Sequence, residues 1–99
     1  MNRPVSYHSQ PVPTFTLYDV AKAALEHCGD QWRAAPGPWA TTGHLWAWDN
    51  TPFTIGALPT GELFVRNDQL GDALPLTVKP TDDLDTIGRA VAEITGHLY

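Results

Sequence analysis

His44-Leu45-Trp46-Ala47-Trp48 marks the point where the apolar period of this chain changes from helical to alternating. Asp49-Asn50-Thr51-Pro52 then reads as a turn, and Phe53-Thr54-Ile55-Gly56-Ala57-Leu58 as a second strand. Pro59-Thr60-Gly61 is a hairpin loop whose glycine suits the left-handed position. Glu62-Leu63-Phe64-Val65-Arg66 supplies a third strand, and Asn67-Asp68-Gln69-Leu70-Gly71-Asp72 turns again. Leu74-Pro75-Leu76-Thr77-Val78 forms a fourth, which Pro75 confines to a sheet edge because proline cannot donate to a ladder.

Helical periodicity flanks this region on both sides. Leu17, Val20, Ala21, Ala24, Leu25 and Cys28 recur at helical spacing after a Thr16-to-Asp19 capping box, and Gly29 is a natural C-terminal cap. Asp19, Lys22 and Glu26 mark the outer face. At the other end Leu84, Ile87, Val91, Ile94 and Leu98 form one 3-4 stripe, opened by Thr81 or Asp82 as cap. Asp82, Asp83 and Asp85 favour the positive end of that helix dipole. Gly88, beside the stripe, allows close approach to the sheet.

Residues 30–43, with Trp32, Pro36-Gly37-Pro38-Trp39 and Gly43, read as a stiff connection, long enough to be either packed by its tryptophans or functional. Residues 1–13, with Pro4, Pro11 and Pro13, read as an extended arm in which Val5-Ser6-Tyr7-His8 could add an edge strand. The expectation is therefore one α+β domain over 14–99. It has two layers, an antiparallel sheet of three or four strands with two helices on one face, in the order α-β-β-β(-β)-α. This order resembles that of double-stranded-RNA-binding domains, in element order alone. That family holds phosphates with a basic start to its last helix; here the stretch is Thr81-Asp82-Asp83-Leu84-Asp85, which repels RNA. None of the family's binding residues is carried over.

Composition narrows the function classes. The 99 residues carry a net charge of −5, and no apolar run approaches the ~20 residues of a membrane helix. No secretory signal is evident at the start, and the single cysteine, Cys28, excludes an internal disulfide and suits a reducing, cytoplasmic setting. Three acids balance three bases up to residue 48, so the acidic excess lies entirely beyond it. Six scattered bases provide no phosphate-binding patch, so direct nucleic-acid or membrane binding is not expected.

Chemical constellations are sparse. His8, His27, Cys28, His44 and His97 lack metal-ligand spacing, and His27 and Cys28 point about 100° apart on a helix. Ser6-Tyr7-His8-Ser9 lies in the arm, without a rigid shell to hold it. The Asp82-Asp83-Asp85 group is explained by capping, and no glycine-rich phosphate loop exists. No catalytic residue, metal or cofactor is therefore assigned.

The tryptophans remain. Trp46 and Trp48 share one strand face and Leu45 and Ala47 the other, so one pair must be core. One disposition buries the tryptophans, as large aromatics usually are. The other leaves an aromatic platform outside, extended by Phe64 and rimmed by Arg66. The expectation adopted is a non-enzymatic interaction or regulatory module docking on another protein, with Trp39, Trp46, Trp48, Phe64 and Arg66 as contacts. A homodimer through the sheet face or the arm is a variant of it. An acidic surface of Asp68, Asp72, Asp82, Asp83 and Asp85 could instead meet a basic partner or act as a decoy for a DNA-binding protein. Stacking of single-stranded bases, and a small-molecule pocket using His44 or His97, are the remaining alternatives.

Overall fold

Thr16 opens the first helix as the sequence predicts. Its hydroxyl accepts from the Asp19 amide at 3.2 Å, and the Asp19 carboxylate accepts from the Thr16 amide at 2.9 Å. In this computed structural model, which describes residues 15–38, 41–79 and 81–98, α1 then runs over Leu17–Cys28 and Gly29 ends it at φ 119°. Five strands follow: β1 Arg33–Pro36, β2 Gly43–Trp46, β3 Pro52–Ala57, β4 Leu63–Asn67 and β5 Ala73–Pro75. The chain closes with α2, Leu84–Leu98. The arm, with the strand expected at Val5-Ser6-Tyr7-His8, lies outside the described residues.

The sheet is an antiparallel meander in the order β1-β2-β3-β4-β5, each strand joined to the next by a short reversal. The α+β class stands, with five strands rather than three or four. The extra strand is β1, inside the stretch read as a connection. Its residues, Arg-Ala-Ala-Pro, have little intrinsic strand preference, and their ladder to β2 supplies the pairing instead. Trp32, just before it, stacks on buried Phe53 with ring centroids 5.8 Å apart. The fourth strand of the sequence reading becomes β5, shortened to three exposed residues and placed at the sheet edge, where Pro75 is tolerated.

Both helices cover one face of the sheet, α1 against β1, β2 and β3 and α2 against β4. Between the layers lie Val20, Ala21 and Ala24 of α1, Leu45, Phe53, Ile55 and Val65 of the sheet, and Ile87 and Val91 of α2, all with less than 1% exposure. The helices also meet each other closely. A Cβ on Gly88 would stand 2.7 Å from the Ala23 Cβ, so this glycine admits α1 rather than the sheet. Asp83, not Thr81 or Asp82, caps α2: its carboxylate accepts from the Thr86 amide at 2.8 Å and its carbonyl from the Ile87 amide at 3.1 Å. Buried Asn67 ties the end of β4 to the end of α2, donating to the Leu98 carbonyl at 2.8 Å while accepting from the amides of Gln69 and Leu70. No helix among the described residues is long and apolar enough to cross a membrane.

Candidate interaction surface

β2 decides which residues face outward. Leu45 and Ala47 are buried at 0% and 1% exposure, so the expectation that buries the tryptophans is overturned: Trp46 is half-buried and Trp48 is 63% exposed. The reason is space. A Cβ on Gly43 would lie 2.2 Å from the Leu17 carbonyl oxygen, so α1 rests almost on the β2 backbone. Small and medium side chains fit that gap and an indole does not.

Register then assembles the helix-free face from residues distant in sequence. One row across the sheet is Arg33, Trp46 and Pro52; the next is Ala35, His44, Thr54, Arg66 and Ala73; a third is Gly56, Phe64 and Pro75. The Arg33 guanidinium stands 5.6 Å from the Trp46 ring centroid and donates to Asn50 Oδ1 at 2.6 Å. The His44 ring lies 6.0 Å from the same indole. Phe64 folds over Gly56, where a Cβ would meet its Cζ at 2.6 Å. Beside it, a groove of about 400 Å³ is lined by Leu58, Glu62, Phe64, Arg66, Leu74 and Pro75.

A polar chain binds these rows together. The Thr54 hydroxyl donates to Asp68 Oδ2 at 2.6 Å, and Arg66 Nε donates to the other carboxylate oxygen at 2.7 Å. Thr54 has one proton, so its oxygen must accept from His44 Nδ1–H, 3.2 Å away. In the neutral ring Nε2 is then the acceptor, facing the Thr42 hydroxyl at 3.3 Å. Thr54 is 4% exposed, so the chain is anchored in the sheet and holds His44 and Arg66 in fixed orientations. Chemically the face offers two aromatic surfaces and two guanidinium groups, which suits recognition by stacking and charge-assisted hydrogen bonds.

The sequence-derived residues divide. Trp46, Phe64 and Arg66 share this face. Trp48 leaves it, because the backbone turns at Ala47, whose carbonyl accepts from Asn50 N–H at 2.8 Å; Trp48 lines a separate hollow with Cys28, Gly29 and Trp32. Trp39 lies outside the described residues. The acidic candidates fall in two places. Asp68 and Asp72 occupy the β4–β5 turn near the end of α2, and Asp82, Asp83 and Asp85 its start, about 22 Å away along a 15-residue helix. Asp83 is held below the ordinary carboxylate range by the Thr86 amide and then its hydroxyl. Asp82 accepts from the Lys79 amide at 2.9 Å, and Asp85 pairs with His27 at 3.0 Å and Arg89 at 3.2 Å. Cys28, half-buried, has its thiol pushed up by burial, against a smaller opposing effect of the Thr95 hydroxyl.

Arg33 and His44 are the surface residues missed as contacts from sequence, as is the buried Thr54 that orients His44. Alternation alone places His44 beside Trp46 on β2, whereas Arg33 has no signal without β1. Among the described residues no group of three or more His, Cys, Asp or Glu is placed to hold a metal ion. No protein-family model matches the chain, and neither a curated protein nor a solved structure matches it.

Proposed function

We propose that the protein is a non-enzymatic docking module of a reducing, cytoplasmic setting, and that it meets a partner protein through the helix-free face of its sheet. The observation that carries this reading is the gathering of Trp46 and Phe64 with Arg33 and Arg66 on a face that no described element covers. Aromatic rings and Arg are the side chains most often responsible for binding energy at protein contacts. The polar chain through His44, Thr54 and Asp68 supports the same reading, since a rigid surface loses less entropy on association. The acidic route has less support, because Asp68, Asp82, Asp83 and Asp85 already have partners within the chain.

The test is site-specific photocrosslinking in the source cells. A benzophenone side chain replaces Trp46 or Phe64 on the sheet, or Arg89 or Glu93 on exposed α2, in the full-length chain. The expected result is a discrete adduct from positions 46 and 64 and none from 89 and 93. Adducts of equal yield from all four positions, or none from the sheet, overturn the proposal.

A further inference from the structure

Glu62, just before β4, and Phe64 and Arg66 within it line one groove at alternating positions, so an acid, an aromatic ring and a base stand in line, about 7 Å apart. That order is complementary to its own reverse. When a second β4 lies antiparallel across it, Glu62 faces Arg66, Phe64 faces Phe64 and Arg66 faces Glu62. The pattern is the condition for an isologous two-fold contact, in which one patch serves both sides.

Two further observations favour the same place. Leu58, 41% exposed, borders this groove, so one of the large apolar side chains left in water among the described residues would be covered there. The charges of the β4–β5 half of the face, Glu62, Arg66 and Asp68, sum to −1, whereas the whole chain carries −5. Like-charge repulsion between two copies is therefore small here. Arg66 spends only its Nε on Asp68, and its two terminal nitrogens can still meet a carboxylate.

Resting on the docking surface proposed above, we infer that its β4–β5 half binds a second copy of this chain, about a two-fold axis that passes between the paired Phe64 rings and runs perpendicular to β4. The contact is modest: about two to three strands 4.8 Å apart and five residues long give roughly 200 Å² of facing sheet per copy, so the dimer is weak and concentration-dependent.

The experiment is sedimentation equilibrium of the purified full-length chain up to about 1 mM. The wild type is expected as a monomer–dimer mixture. Glu62→Arg places like charges opposite each other twice per dimer and should weaken it about tenfold or more. Arg66→Glu should do the same, and an equimolar mixture of the two variants should recover a heterodimer close to wild-type strength. Because Arg66→Glu removes a partner of Asp68, Phe64→Arg is the control that leaves that pair intact, and it too should give monomer. A dimer unmoved by Glu62→Arg and Phe64→Arg overturns the placement on β4. A monomeric wild type, with position 64 crosslinking in cells to a different protein, overturns the second-copy assignment and leaves the docking surface standing. Absence of any adduct from positions 46 and 64 overturns both.

Discussion

The two faces of the sheet are built from the same strands under opposite constraints. Toward the helices, Leu45, Phe53, Ile55 and Val65 are fully enclosed, and α1 lies so close to β2 that Gly43 has no room for a methyl group. Away from the helices, Trp46 and Phe64 are only half-buried, and Arg33 and Arg66 are exposed and held by hydrogen bonds to Asn50 and Asp68. The difference teaches that the largest side chains need not be the core of a small domain. When two helices must lie on one sheet, the distance between layers sets the size of the residues between them, and indoles are displaced outward. The sharpest way to break this comparison is to truncate one aromatic on each face. Phe53→Ala should cost about 3–5 kcal/mol, through lost burial and the cavity left under Trp32. Trp46→Ala should cost less, about 1–3 kcal/mol, since it forfeits a partly solvated cation–π contact and the buried part of the indole. Urea denaturation monitored by far-ultraviolet circular dichroism checks both, and equal losses would refute the assignment of the faces.

Spacing between the two helices gives the second test. Gly88→Ala adds one methyl group against Ala23 Cβ at 2.7 Å and the Ala23 backbone at 2.8 Å, so the helices must separate. A loss of about 1–3 kcal/mol is expected, despite the better helix propensity of alanine. Gly96→Ala is the control: nothing stands within 4 Å of the added carbon. It should stabilise the same helix by up to about 1 kcal/mol.

What could be read from the sequence follows the same division. The stripe of α2 and the capping box of α1 are local patterns, and they reappear with Ile87, Val91 and Leu98 buried and the Thr16–Asp19 exchange intact. β1 was not legible, because Arg33-Ala34-Ala35-Pro36 carries no strand preference of its own and becomes a strand only through β2. The choice between Trp46 and Leu45 was illegible for a related reason: alternation gives two faces but not which one a helix covers. The decisive fact, Gly43 against the Leu17 carbonyl, joins residues 26 apart in sequence. The candidate surface was half legible, with Phe64 and Arg66 visible on one strand and their link to His44 and Trp46 created by register across β3.

The outer face can be probed without removing any aromatic ring. Thr54→Val keeps the shape of a side chain that is 4% exposed but deletes the hydroxyl between His44 and Asp68. Asp68 loses a donor and His44 Nδ1–H loses its acceptor, at a cost of about 1–2 kcal/mol in urea denaturation. The imidazole nitrogens report on it directly. In wild type at neutral or higher pH, nitrogen NMR should show the Nδ1–H tautomer, and in the variant a mixture. An unchanged tautomer would show that Thr54 does not set the orientation of the ring.

The smallest effect expected belongs to the far end of the helical layer, where Asp83 caps α2. Its carboxyl is held below the ordinary range by the Thr86 amide first and the Thr86 hydroxyl second, so its proton affinity is lower in the folded chain than in the unfolded one. The unfolded chain therefore takes up this proton first as pH falls. The stabilisation is complete above the unfolded carboxylate range, and it is lost as pH falls through that range to the depressed folded value. Asp83→Asn retains a side-chain oxygen that can accept from the Thr86 amide, but it does not titrate. At neutral pH the variant should be slightly less stable than wild type. The gap should close as the pH drops below the carboxylate range, read as converging midpoints in urea titrations at a series of pH values. A constant gap would assign the effect to shape rather than charge. The same substitution should leave the sheet-face adducts and the dimer constant untouched, because Asp83 belongs to the layer that builds the core and not to the face proposed to meet a partner.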